Sequence, residues 1–566
     1  MFGPVIPSPR TGPAPLAFTR RAFLTTGAAA LLGSSLLRGA SPGAAPVVLP
    51  AAHREAMQRR QRRIVVQYDA NDPMWTYWKL HRNRDATYDR FQAAVFSYLD
   101  DSATQIDGLW WDIGGSPLGC SYPSKIEPPV DHPMIQMWLA DGIDWVERLV
   151  NETRRRKCEA FWNHRISEVE CLPEGGLSKD SHPLKLAHPD WVVKTAWWPQ
   201  GMWNLAAPGL RDHKVALLRE LATRYDLDGI QIDFSRHIPC LPVGRQWELR
   251  GHVTEFMRQV RVMLLEVAAQ RGRPFLLAAK IPQTLAGCRV DGFDVAAWAE
   301  GNLVDILTLG SRTMDADVDG LRAVVGDAIH LQPCVDDHHA TDGYRYPPIE
   351  FLRGTFSNHF QRGANSVMTF NWSIGTPEVC RAMGSDIGPA SHAIAYREVG
   401  DTRTMAGKDK IFAVERRGGY PWADGFMNRN DTAPLPHRMA GESRRATFTL
   451  HVSDGPATGS RKNSLTLRCV LFDAGEADAF EVRFNGTPLA RATRDPNWQD
   501  PQIFSPKPQP NSGGQGQYVV DSAQRLLRLE WAVPAWEAGP NEVDVRVASG
   551  RGGQIEKIEG WLRVGS

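Results

Sequence analysis

Tyr225-Asp-Leu-Asp-Gly-Ile-Gln-Ile-Asp-Phe-Ser-Arg-His237 is the stretch from which the rest of this chain can be read. Gly229, Ile230 and Ile232 make the apolar run of a buried strand, and an acid, an arginine and a histidine follow it at once, a sequel that packing alone does not select. In a barrel of parallel strands, side chains at the C-terminal strand ends face the active site. Asp233 is therefore the leading candidate for a catalytic carboxylate.

Similar short apolar runs lie on both sides of it. They are Ile64–Tyr68, Gly108–Trp111, Glu159–Trp162, Phe275–Ala278, Val304–Thr308, Ile329–Gln332 and Ser366–Phe370, which with Gly229–Ile232 make eight, the count a closed (β/α)8 barrel requires. Helical spacing separates them, as at Val253, Phe256, Met257, Val260, Met263, Leu264 and Val267. Long polar insertions at 121–133 and 171–208 suit a substrate-binding rim. Beyond about residue 395 the texture changes to alternating strands separated by turns such as Asn485-Gly486, which predicts a β-sandwich. The expected class is α/β, a (β/α)8 TIM barrel over 60–395 followed by an all-β sandwich over 400–566. The bland role for that second part is to pack on the barrel and stabilise it.

Thr19-Arg20-Arg21-Ala22-Phe23-Leu24 precedes an apolar stretch that is short for a membrane span. It reads as a twin-arginine export signal within residues 1–45, with cleavage after Ala40 or Ala45 and a periplasmic or extracellular destination. On this reading residues before about Gln61 lie outside the fold and the mature protein has no membrane span. Removing Met1 to Ala40 leaves 61 basic and 64 acidic residues, a formal charge of −3. Such a balance offers no field for nucleic acid or an anionic membrane, so a neutral substrate is expected. The eight cysteines show no zinc spacing and are read mostly as buried thiols, Cys158 and Cys171 being the pair closest in sequence.

Polar residues just beyond the strand ends form a convergent rim: Asp69 and Asn71, Asp112, then His164, Arg165 and Glu168, then Asp233, Arg236 and His237. Lys280 and Gln283, Ser311, Arg312 and Asp315, Asp336 to His339, and Asn371 and Trp372 complete it. Acid/base chemistry on an acetal needs one carboxyl to protonate the leaving oxygen and another to attack or stabilise the oxocarbenium centre. Asp233 paired with Asp336 across the mouth meets that need, with Asp315 and Glu168 in reserve. Asp69, Asp112, Arg165, Glu168, Arg236, His237, Lys280, Asp315, Asn371 and Trp372 are read as substrate-binding groups. A strand-end Asp also serves to cap the next helix or to pair with a neighbouring arginine, here Arg236 three residues on, and that bland role stays open for Asp233. Fourteen of the nineteen tryptophans fall between Trp75 and Trp372, and Trp110, Trp111, Trp162, Trp197, Trp198, Trp203 and Trp372 suggest faces for stacking a sugar, against the alternative of core packing.

Pro189-Asp-Trp191, Asn204-Leu-Ala-Ala-Pro208 and the Tyr225–Arg236 run resemble the bacterial family-10-like glycosyl hydrolases, as do Phe161-Trp-Asn-His-Arg165 and Gly292-Phe-Asp-Val-Ala-Ala-Trp298. The resemblance spans about residues 60–390 and implies an exported barrel acting on carbohydrate. Where that family leads one to expect Arg-Met-Asn-Asp after the third strand, this chain has Arg165-Ile-Ser-Glu168. Arg165 carries over and the Asn-Asp pair does not.

Two other readings compete. Asp336-Asp-His-His339 with Asp233 and His237 would suit a metal-dependent hydrolase, although the first strand ends in Gln67-Tyr-Asp69 and offers no H-x-H pair. The altered third-strand motif would suit a barrel that binds saccharide without turnover. No metal is expected on the preferred reading, and no organic cofactor either, since no phosphate-cradling glycine loop follows a strand to hold one.

Overall fold

The structure is a computed structural model that describes residues 45–59, 61–69, 87–112, 119–128, 132–167, 181–194, 200–235, 238–310, 313–336, 344, 346–370, 372, 375–383, 389–416, 433–458, 461–490, 492–500, 502 and 524–565. Eight parallel strands close into a barrel: β1 (Ile64–Asp69), β2 (Ile106–Asp112), β3 (Glu159–Arg165), β4 (Gly229–Asp233), β5 (Leu276–Ile281), β6 (Ile306–Leu309), β7 (His330–Asp336) and β8 (Val367–Phe370). Each pairs with its neighbours in sequence, and β8 closes on β1. All eight expected runs are strands. Several continue past the apolar run into the polar residues that follow, β3 as far as Arg165, β5 as far as Ile281 and β7 as far as Asp336.

Helices cover the outside. Arg250–Arg271 buries the expected stripe from Val253 to Val267 and stops at Gly272, whose φ of 73° is the left-handed conformation that terminates helices. Pro208–Arg224 starts with proline in its first turn, where the missing N–H costs nothing.

Inside the barrel, Val65, Trp110, Phe161, Leu276, Ala278, Ile306, Cys334, Met368 and Phe370 form a core of their own. Trp110 and Phe161 stack at 4.2 Å with planes 4° apart. That pair explains Gly229 at the start of β4: a Cβ there would lie 2.3 Å from Cζ of Phe161 and 2.7 Å from the carbonyl oxygen of Leu276.

The N-terminal boundary departs from expectation. Residues before Gln61 are not outside the fold, because helix Ala51–Arg59 packs onto the barrel. His53 Nε2 meets Asp305 Oδ1 at 2.9 Å, Arg261 Nη1 meets Oδ2 at 2.9 Å, and the backbone N–H of Leu277 donates to the same oxygen. Burial works against ionisation of Asp305, but Arg261 and His53 hold its carboxyl well below the usual range.

C-terminal to the barrel the chain is built from antiparallel β-sheets. One has the order Lys410–Ala413, Gly553–Val564, Arg461–Phe472, Leu526–Val533, Thr493–Trp498, and the other the order Arg445–Val452, Gly539–Ser549, Ala479–Phe484, Thr487–Pro488. Phe448, Leu450, Val543 and Val545 of the second pack in one core with Leu467, Leu529 and Ile558 of the first, which makes a sandwich. The sandwich touches the barrel through buried polar contacts. Tyr344 donates its OH to Glu559 Oε1 at 2.9 Å and Lys557 Nζ sits 4.0 Å from the Tyr344 ring centroid, while within the sandwich Lys557 pairs with Asp500 at 2.9 Å.

Candidate active site

Side chains alternate along a strand, so one residue in two faces the barrel interior. At the C-terminal ends the inward series are Asn163 and Arg165 on β3, Gln231 and Asp233 on β4, Ala278 and Lys280 on β5, and Cys334 and Asp336 on β7. The backbone register sets Arg165 beside Asp233, and Asp233 beside Lys280. Asp336 stands beside Phe370, and Phe370 beside Gln67.

Asp233 is fully buried. Its Oδ1 accepts the backbone N–H of Ser235 at 2.9 Å, the turn-capping contact that a strand-end Asp makes. Its Oδ2 faces Asn163 Nδ2 at 3.4 Å and Lys280 Nζ at 4.0 Å. Lys280 is equally enclosed, donates to Gln67 Oε1 at 3.1 Å and lies 3.8 Å from the ring centroid of Phe370. Asp336 ends β7 with 4% of its surface exposed. Burial pushes the Cys334 thiol up to about 12; Lys280 opposes the rise, while Asp233 and Asp336 both add to it. One sulfur thus feels both carboxylates and the ammonium.

Arg165 lines a small cavity beside the mouth with Glu127, His182, Trp203 and Lys214. There burial, helped by the charge of Lys214, lowers His164 to about 3 and keeps the imidazole neutral. Asp69 and Asp112 end β1 and β2 as direct register partners, and their side chains lie outside the described set. Glu168, Arg236, His237 and Asn371 lie outside the described residues, as do Asp337, His338 and His339.

Two expected rim residues sit elsewhere. Asp315 pairs with Arg362 at 2.6 Å in a cleft between the barrel's flank and strand Arg445–Val452, because the chain after β6 turns down toward helix Ile349–Gln361. Trp372 is buried, donates from Nε1 to the carbonyl of Val335 at 3.1 Å and stacks on His392 at 4.4 Å, so its ring fills the space behind β8. The other described tryptophans of the proposed platform are packed too. Trp110 fills the barrel floor, Trp111 donates to Thr153, Trp162 meets Tyr122 edge-on, and Trp203 lies under Lys185 and Lys214. Trp197 and Trp198 lie outside the described residues.

The sequence reading missed the polar layer below the mouth: Gln67, Asn163, Gln231, Thr308 and Gln332, all buried. The signal was present, since Gln231 stands two residues before Asp233 and Asn163 two before Arg165, on the same face. Among the described residues no group of three or more His, Cys, Asp or Glu is arranged to hold a metal ion.

An inward acid at the end of β4, a cation beside it and a second acid at the end of β7 make a barrel mouth suited to acid/base work. Residues 88–240 match the glycosyl hydrolase-like 10 family. The matched segment contains β2, β3 and β4 with Asp233. Among solved structures the chain is similar to α-L-fucosidase isoenzyme 2 from Paenibacillus thiaminolyticus, at 13% identity over 61% of this chain and 50% of that one, with a TM-score of 0.37. It is also similar to a GH36 α-galactosidase from Geobacillus stearothermophilus, at 11% identity over 87% of this chain and 56% of that one, TM-score 0.32. An α-galactosidase from Lactobacillus brevis aligns at 13% identity over 88% and 56%, TM-score 0.34. The chain thus spans about half the length of these neighbours. No curated protein matches it.

Proposed function

We propose that this protein is an exported glycoside hydrolase, or a hydrolase-like protein, that acts on a poly- or oligosaccharide through two carboxylates. Asp233 is the nucleophile or general base and Asp336 the general acid. The observation that carries this reading is that Asp233 and Asp336 are the last residues of barrel strands β4 and β7, with the Lys280 ammonium 4.0 Å from Asp233. A fixed ammonium beside Asp233 suits the carboxylate that must meet positive charge developing at the anomeric carbon, and Asp336, with more of its surface open, suits proton delivery to the leaving oxygen. Arg165, Asp69 and Asp112, at the neighbouring strand ends, would position hydroxyls.

The test is glycan hydrolysis by wild type, Asp233→Asn and Asp336→Asn in parallel. The expected loss is about 10²–10⁴-fold in each variant. Unchanged turnover in Asp233→Asn sinks the proposal. The product anomer, read by NMR at early times, assigns retention or inversion.

The complete enclosure of Asp233 and its cap to Ser235 favour a second reading, a barrel that binds saccharide without turnover. Binding by wild type that is unchanged in Asp233→Asn, with no hydrolysis by either, selects it. Export by the twin-arginine route rests on Arg20-Arg21 and the apolar stretch after them. Arg20→Lys together with Arg21→Lys is expected to retain the protein in the cytoplasm.

A further inference from the structure

We infer that Lys280 sets the orientation of Asp233 through a one-way chain of side-chain amides, Gln67, Gln231 and Asn163, which makes Gln231 a positioning residue for the carboxylate. The catalytic consequence rests on the function proposed above, whereas the orientation itself does not.

The argument follows from what each group can donate. An ammonium has three donors and no acceptor. Lys280 Nζ lies 3.1 Å from Gln67, so Gln67 must present its carbonyl oxygen there. That same oxygen lies 3.2 Å from Gln231, so Gln231 must present its NH2. The second N–H of Gln231 reaches Asn163 at 2.5 Å, which fixes Asn163 with its oxygen toward Gln231 and its NH2 toward Asp233 Oδ2, 3.4 Å away. At the other end of its amide, Gln231 Oε1 accepts the hydroxyl of Thr308 at 2.7 Å, and Thr308 in turn accepts from Gln332 at 3.3 Å. Gln332 Oε1 accepts from Ser366 at 2.8 Å. Reversing any one amide would set oxygen against oxygen at one end or nitrogen against nitrogen at the other, and in a solvent-free interior such a mismatch is costly. The chain therefore has a single polarity, and it delivers a donor to the face of Asp233 that also sees the ammonium.

Gln231 is fully buried and sits one strand layer below the mouth, so it is placed to act through Asn163 and not on substrate. Gln231→Glu keeps the shape but sets an acceptor against the oxygens of Gln67 and Asn163, while Gln231→Met removes the bonds without reversing them. The expected result is a fall in kcat of about tenfold or more in Gln231→Glu and a smaller fall in Gln231→Met, with KM within about twofold in both. Thr308→Val and Thr308→Ser are gentler companions should Gln231→Glu fold poorly. The serine variant is expected to keep wild-type kcat and the valine variant to lose part of it. Equal kcat in the wild type and all four variants overturns the inference while Asp233→Asn is inactive.

Neutron diffraction from perdeuterated protein reads the same point without any substrate. Deuterons on Asn163 Nδ2 directed at Asp233 Oδ2, and two on Gln231 Nε2, are expected. The opposite amide orientation overturns the inference whether or not the protein hydrolyses a glycan, and failure of the proposed function alone leaves the neutron result intact.

Discussion

Lys280 Nζ and Asp233 Oδ2 stand 4.0 Å apart, both side chains closed off from solvent. Breaking such a pair strands a charge in a low-dielectric interior, which costs more than the pair itself is worth. Lys280→Met is therefore expected to destabilise the fold by about 3–5 kcal/mol. Urea unfolding at neutral pH measures it, and a loss under about 1 kcal/mol would mean that Asp233 draws its compensation from elsewhere.

Gly229→Ala puts a methyl into the Trp110–Phe161 stack. With the nearest ring carbon 2.3 Å from the new Cβ, the ring or the strand must move. A cost of about 1–3 kcal/mol is expected, and Phe161→Leu in the same chain should return part of it. Thermal unfolding of the two single variants and the double variant gives the comparison; strict additivity would show that the two sites do not touch.

Glu127 supplies a pH dependence. Burial tends to raise its pKa, but the hydrogen bond to His213 and the charge of Lys214 prevail and lower it to about 2. A folded-state value below the unfolded one gives stability that is fully present above the unfolded pKa, about 4.3, and is lost as pH falls toward the folded value. The window is therefore roughly pH 2 to 4.5, with about 3 kcal/mol at stake. Stability measured against pH should slope less steeply there in Glu127→Gln than in the wild type.

Ending the chain near residue 395 would remove Glu559, Lys557 and Asp500 from around Tyr344, whose ring stacks on Phe351 at 4.4 Å. The truncated barrel is expected to be insoluble or to melt well below the full chain. In the full chain, Glu559→Gln is expected to cost about 1–3 kcal/mol through its bonds from Tyr344 and Trp561. A soluble barrel with the full chain's melting point would assign the β-layers a role other than support.

The eight strands could be read from sequence because a parallel barrel strand is apolar enough to announce itself, and Asp233 because it breaks such a run abruptly. Asp315 and Trp372 could not be placed, since distance past a strand end does not say whether the chain then crosses the mouth or turns down the flank. The tryptophans misled for a related reason: a ring that suits a sugar suits a neighbouring helix equally well, and Trp111, Trp162 and Trp372 found helices or their loops. The amide layer went unread because Gln67, Gln231 and Asn163 look like ordinary polar residues until the parity of their strands is known. Helix Ala51–Arg59 was hidden by its proximity to the stretch read as an export signal, although His53 reaches a buried acid 252 residues away.

The paired rings of Trp110 and Phe161 carry one more implication. Those two rings belong to the packed core that fills the barrel interior, so a small molecule meeting Asp233 would have to approach from the C-terminal strand ends and withdraw on the same side.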